Sequence, residues 1–321
     1  MIFLSSRFLK DWKNYYSTAF KAGGFMMKKI DLHVHTIMKK GIMRMGTHTT
    51  FATPEELKAM YERLGIEKGV ILPEINFECA SHMQSNEDAY RIVQKYPDLF
   101  YWFCNIDPRM GSNNTKMDLS PVITGYKKLG AKGVGEVCAN LYFDDPFMEN
   151  LFYHCEKNDM PVLFHIGPQI GGCYGIVDDP GLPRLEKVLK KFSGLQFIGH
   201  SQPFWAEIGS GLTKENRNGY PVGKVNPGRL VELFDLYPNL YGDLSAGSGY
   251  NAVSRDPEFG YSFIEKYQDR LYFGTDICAP ENDMKLSFWL DDALNIGKIS
   301  KTAYEKVSRI NALKLINRIH F

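Results

Sequence analysis

Between residues 28 and 298 the sequence alternates short apolar runs with amphipathic segments, and it does so eight times. The apolar runs fall at 28–36, 69–73, 99–106, 131–137, 161–166, 195–199, 240–244 and 271–274. They carry Val, Ile, Leu and Phe on both faces, as strands buried on both sides require. The segments between them carry helix signals. Thr53-Pro54-Glu55-Glu56 supplies a cap and a first-turn proline, Gly65 suits a C-cap, and Asp144-Asp145-Pro146 opens a further helix. Such alternation implies a parallel sheet with right-handed crossovers. Eight units over roughly 250 residues is the size of a closed barrel. The alternative is an open doubly wound sheet, which would carry a Gly-rich first turn for a nucleotide; here the first turn carries histidines. The expected fold is α/β, a (β/α)8 TIM barrel in one domain over residues 28–321, closed by helical segments near 284–296 and 300–318. Residues 1–27 read as an N-terminal extension, either a helix packed under the barrel or a disordered tail.

Composition narrows the partners. Net charge is +1 and no basic run stands out, which argues against nucleic acid. No apolar run is long enough to span a bilayer. Arg7, Lys10, Asp11, Lys13 and Lys21 interrupt any secretory apolar region near the start. The six cysteines, Cys79, Cys104, Cys138, Cys155, Cys173 and Cys278, form no C-x-x-C pair. That pattern implies reduced, mainly buried thiols and a cytoplasmic location.

The first strand ends in Asp31-Leu32-His33-Val34-His35. Alternate residues of a strand share a face, so His33 and His35 point the same way and make half of a metal site. In a barrel, functional residues gather at the C-terminal ends of the strands. The other strand-end candidates are Glu136 after strand four, His165 after five, His200 after six and Asp276 after eight. Four of the eight histidines lie at strand ends, while His48, His82, His154 and His320 do not. Each candidate alone has a plain structural reading: a buried hydrogen-bonded histidine, a helix cap for Asp276, a lysine partner for Glu136. Together they point to a divalent metal.

The motifs D-L-H-V-H (31–35), G-V-G-E-V (133–137), P-V-L-F-H (161–165), F-I-G-H (197–200) and Y-F-G-T-D (272–276) resemble those of the amidohydrolase superfamily. The branch they resemble is amidohydrolase family 2, which groups metal-dependent hydrolases with non-oxidative decarboxylases. The resemblance covers residues 28 to about 318. It implies that His33, His35, His165 and Asp276 hold a divalent metal, usually zinc, with Mn as the other candidate. It makes His200 a ligand in a two-metal member or an acid–base group in a one-metal member. Glu136 stands where the superfamily often carries a carboxylated lysine, so a carboxylate bridge between two ions is expected in its place. The implied function is hydrolysis of a small amide, lactone or ester, with Asp276 and His200 as the catalytic acid–base groups. The alternative is decarboxylation of a small aromatic or unsaturated acid. The branch also implies a homodimer.

Substrate contacts are less sharply marked. Lys39, Arg44, Arg109 and Arg255 follow strands one, three and seven and could each clamp a carboxylate. Gln202, Phe204 and Trp205 could wall the pocket, and the long connection 201–225 could form a lid.

Overall fold

The computed structural model describes residues 27–78 and 82–318. The N-terminal extension, Cys79 and His320 lie outside the described residues. Nine strands are present, all paired in parallel: β1 (Lys29–Val34), β2 (Ile66–Ile71), β3 (Phe100–Trp102), β4 (Val134–Val137), β5 (Val162–Gly167), β6 (Ile176–Val177), β7 (Phe197–His200), β8 (Leu240–Asp243) and β9 (Leu271–Tyr272). Strands run in the orders β1-β2-β3 and β4-β5-β7-β8-β9. Parallel bridges from Cys104 to Val134 and from Val34 to Ile277 join the two sheets at both seams. The result is the eight-stranded TIM barrel, with the two-residue β6 attached outside the cycle to β5.

Helices fill the crossovers: α1 (Pro54–Leu64), α2 (Asn86–Lys95), α3 (Ser120–Lys128), α4 (Pro146–Lys157), α5 (Pro183–Lys191), α6 (Gln202–Ala206), α7 (Arg229–Leu236), α8 (Ala246–Ser254) and α9 (Pro257–Tyr267). After β9 come α10 (Lys285–Asn295), α11 (Lys301–Glu305), a π-turn (Lys306–Ile310) and α12 (Asn311–Arg318). The predicted caps form. Thr53 and Glu56 close a capping box on α1, and Gly65 ends it in the left-handed region at φ 66°. Three elements escaped the sequence reading, one of them α6, a five-residue helix inside what reads as the 201–225 connection. β6 is too short to leave a period, and α8 contains Gly247 and Gly249, which read as loop.

Two layers of apolar packing surround the strands. The outer layer fills the space between strands and helices with residues such as Val34, Trp102, Phe164 and Phe197. The inner layer fills the barrel with Ile30, Leu32, Val70, Leu72, Phe103, Leu163 and Ile198, and α12 plugs its lower end with Ala312, Leu315 and Ile316. One end of the barrel is therefore sealed by hydrocarbon, leaving the C-terminal ends of the strands for polar groups. No helix among the described residues is long and apolar enough to cross a membrane. The five described cysteines are free thiols, with Cys104 and Cys155 buried and the other three half-buried.

At the start of β1 a buried ion pair ties the barrel to α10. Lys29 Nζ donates to Asp291 at 2.7 and 2.9 Å, and Tyr304 OH donates to the same carboxylate at 2.7 Å. Burial pulls the Lys29 ammonium down, and Asp291 opposes that shift. Asp291→Leu leaves the ammonium buried without a counter-ion and should cost about 3–5 kcal/mol. Lys29→Met together with Asp291→Leu should recover most of that loss. Urea unfolding of the single and double variants measures both; a single variant as stable as the parent would show that the pair does not carry this seam.

Candidate metal centre

The phase of β1 decides where its histidines point. Ile30 and Leu32 face the barrel interior, and simple alternation would then send His33 outward. The register between β1 and β2 shifts between Asp31 and Val34. Val34 thereby packs in the outer layer, while His33 and His35 turn into the mouth of the barrel. Bulges at barrel rims commonly re-aim side chains in this way. Asp31 holds the bulge. Its carboxylate accepts from His33 N (3.1 Å), Thr275 N (2.8 Å), Thr275 Oγ1 (2.6 Å) and Tyr61 OH (2.7 Å). Burial pushes Asp31 up to about 6 against the pull of those donors. β4 has a similar shift between Val134 and Val137, with both valines in the outer layer.

The structure brings all six sequence candidates together. His33 Nε2 and His35 Nε2 are 3.0 Å apart. Asp276 Oδ1 lies 3.5 Å from the first and 3.4 Å from the second, and Glu136 Oε2 lies 3.6 and 3.7 Å from them. His200 Nε2 is 3.7 Å from Asp276 and 3.9 Å from Glu136. His165 Nδ1 is 2.9 Å from Glu136 Oε1. Ser201, Ala246 and Asp276, which follow β7, β8 and β9, all sit at positive φ although none is glycine. Such strained backbone tends to collect at functional sites.

Each imidazole is fixed by a partner at its far nitrogen. His35 Nδ1–H donates to Leu72 O at 2.9 Å. His33 Nδ1–H donates to Asp243 Oδ2 at 2.7 Å. Ser245 Oγ gives its proton to Asp243 Oδ2 at 2.7 Å, so the 2.9 Å contact with His200 must be donated by His200 Nδ1–H. His165 Nδ1–H donates to Glu136. In the neutral rings this leaves every Nε2 as a lone pair, and those of His33, His35 and His200 turn toward Asp276 and Glu136. Such partners are what orient ligating histidines. Two lone pairs at 3.0 Å repel unless positive charge lies between them. The field at that point favours positive charge: burial pulls His33 down, but Asp276 and Glu136 overcome it and raise its pKa well above the usual value. Asp276 and Glu136 are themselves held low despite burial, chiefly by the charge at His33. The imidazole and carboxylate donors fit a divalent cation, with the ligand atoms of His33, His35 and Asp276 all within 4.8 Å of one another.

Several partners were missed from the sequence. Asp243 ends β8 and Ser245 follows it, at the same level as the predicted ligands, but they act behind the histidines. Burial would raise Asp243, yet hydrogen bonds from His200 and His33 hold it far below the usual carboxylate range. Gly274 makes room for this group, since a Cβ there would lie 2.5 Å from Asp243 Oδ1. A cavity of about 270 Å³ opens over the cluster, lined also by Arg44, Glu74, Cys138 and Tyr174. Of the loop cations expected to meet substrate, Arg44 lines the cavity, its guanidinium stacked 4.9 Å over Phe51. Arg109 is spent on Asp107 and Glu78, Arg255 packs against Gly209, and Lys39 is exposed outside the lining. The expected wall of Gln202, Phe204 and Trp205 is also corrected. Gln202 bonds Tyr220, Phe204 packs against Phe164, and Trp205 Nε1 donates to Asp243 O from below the site. In the 201–225 connection, residues 201–209 are mostly buried, and the exposed remainder is pinned by buried Arg217, which donates to Asp178 O.

Among solved structures the chain is similar to a Pseudomonas putida protein described as a candidate 2-pyrone-4,6-dicarboxylic acid hydrolase, at 14% identity and TM-score 0.58, covering 92% of this chain and 100% of that one. It is similar to 2,6-dihydroxybenzoate decarboxylase from Rhizobium at 16% identity and TM-score 0.52, covering 92% and 100%. It is also similar to a Burkholderia multivorans amidohydrolase with bound zinc, at 13% identity and TM-score 0.55, covering 90% and 99%. At these identities the likeness is one of fold. The curated proteins contain no match. The family model described as amidohydrolase matches residues 30–318, and the chain belongs to that metal-dependent family of enzymes.

Proposed function

We propose that the protein is a metal-dependent hydrolase of a small amide, lactone or ester. The observation that carries this reading is the exposure of Asp276. Its side chain is 27% exposed, against 0%, 4% and 2% for His33, His35 and His200. Asp276 and Glu136 both touch the converging Nε2 atoms and the cavity, and Asp276 is the more exposed of the two, 27% against 8%. His33, His35 and Asp276 would hold the ion, with Glu136 and His165 reaching toward a second. Zinc suits these imidazole and carboxylate donors, and a structural neighbour carries it. A bound divalent metal would acidify water and polarise a carbonyl at neutral pH.

The chain's own residues would do the rest. Asp276 accepts the proton of the attacking water and later delivers it to the leaving group. His200, 3.7 Å from Asp276 Oδ2, stands next in line to move that proton, with Ser245 and Asp243 holding its ring. Arg44 would bind an anionic group at the mouth of the cavity. The free thiols favour a cytoplasmic location.

A screen of small lactones, amides, esters and aromatic acids against the metal-loaded protein tests the reaction class. Label from ¹⁸O-water should enter the product; release of carbon dioxide without label would establish the decarboxylase reading in its place. Asp276→Asn should keep much of its metal but lose about 10²–10⁴-fold in kcat. Turnover within a few-fold of the parent would move the base to His200. Asp243→Asn removes the negative charge behind His33 and should weaken metal affinity by about 10–100-fold, read by competition with a chelator. Glu136→Gln should lower occupancy of a second metal more than of the first. Metal analysis that finds a single ion in the parent at every added concentration would end the bridge assignment.

A further inference from the structure

β4 sends two side chains into the barrel mouth, Glu136 and then Cys138, two residues on. Cys138 lines the same cavity as Asp276 and His165. One ligand atom each from Glu136, Cys138 and His165 lie within 4.8 Å of one another. This group is separate from the His33, His35 and Asp276 group and adjoins it through Glu136. Its members are held in place. Asn76 Oδ1 accepts from Cys138 N at 3.1 Å, and Asn76 is fixed in turn by donating to Asp107 at 2.7 Å. The Tyr174 ring lies 4.7 Å from the His165 ring, and His165 Nδ1–H donates to Glu136. An imidazole, a carboxylate and a thiol facing one point form a mixed donor set that borderline and soft divalent ions prefer.

We propose that Glu136, Cys138 and His165 form a second metal position with a thiolate ligand, next to the histidine-pair position. This deepens the reading of a metal-dependent hydrolase and rests on it. On binding, the sulfur loses its proton to solvent and forms the metal–sulfur bond. The donor chemistry also sets a preference. Zn²⁺, Co²⁺ and Cd²⁺ suit the sulfur-containing position, whereas Mn²⁺ and Mg²⁺ suit oxygen donors and should leave it empty. Mn²⁺ should therefore load the protein to one ion and Zn²⁺ to two.

The test is titration of the metal-free full chain with Co²⁺ alone, followed by absorption and metal analysis. The expected result is two cobalt ions and a near-ultraviolet sulfur-to-cobalt band. Cys138→Ser, nearly isosteric, should lose that band and one ion while its circular dichroism matches the parent. Cys278→Ser, a second thiol in the same cavity, should keep both. A parent that binds cobalt with no sulfur band overturns the thiolate site and leaves the hydrolase reading standing on one ion. A Cys138→Ser variant with the parent's band and stoichiometry also overturns it. A parent that binds no metal at all overturns both.

Discussion

The Asp31 carboxylate is the constraint on which the rest of the mouth depends. A barrel must close its first strand against its last, and this buried side chain sits on that seam. It takes two donors from Thr275 after β9, one from Tyr61 on α1 and one from the backbone of His33. The last of these bends β1 into the bulge that turns His33 and His35 inward. Closure and ligand presentation are therefore one event. Asp276 follows Thr275 directly, and its own N–H donates to His33 O at 2.7 Å. The two halves of the ligand set, 240 residues apart in the chain, are held by the same hydrogen bonds. Leaving a buried carboxylate underserved would be costly, and four donors meet that need.

Electrostatics at the mouth follow from what lies beneath it. The lower barrel is hydrocarbon capped by α12, so buried charges above it gain little from water and must be balanced by each other. Four carboxylates, Asp243, Asp276, Glu136 and, beside His35, Glu74, face four imidazoles. Asp243 sits behind the rings and keeps the protons of His33 and His200 on Nδ1. Asp276 and Glu136 sit in front and face the lone pairs. That order, carboxylate behind and carboxylate ahead, polarises the His33 and His200 rings toward the cavity and concentrates negative potential where the Nε2 atoms converge.

The sequence made the candidate cluster legible because strand ends in a barrel lie on one rim. Once the eight apolar runs were counted, His33, His35, Glu136, His165, His200 and Asp276 fell at the same level, and the structure places them side by side. What it hid has local causes. The bulges in β1 and β4 leave no mark in residue type, so the route by which His33 turns inward could not be read. Asp243 and Ser245 were visible as strand-end residues, but their role lies in facing His33 and His200 across distant strands. Phe204 and Trp205 looked like pocket walls because aromatic residues serve equally in a cavity or a core. The neighbouring strands β5 and β8 supply the contacts that decide for the core. The loop cations divided by neighbour as well: Asp107 lies two residues from Arg109 and captures it, while Arg44 has an aromatic face beneath it and the cavity ahead.

Under the proposed second position, Cys138 would let one strand widen the metal site. In β1 the two inward positions are both histidine, a matched pair for one ion. In β4 the two inward positions differ, a carboxylate followed by a thiol, and the carboxylate lies nearer the histidine pair. Glu136 thus stands between two donor groups of different hardness. Glu136 Oε1 accepts from the His165 ring at 2.9 Å, and with two ions bound this carboxylate would serve both groups. The chain has no lysine at this place, so a carbamate is not available there, and Glu136 would supply a bridge from the strand itself. The distances across Glu136, 3.6 Å to His33 on one side and 2.9 Å to His165 on the other, put both groups within its reach.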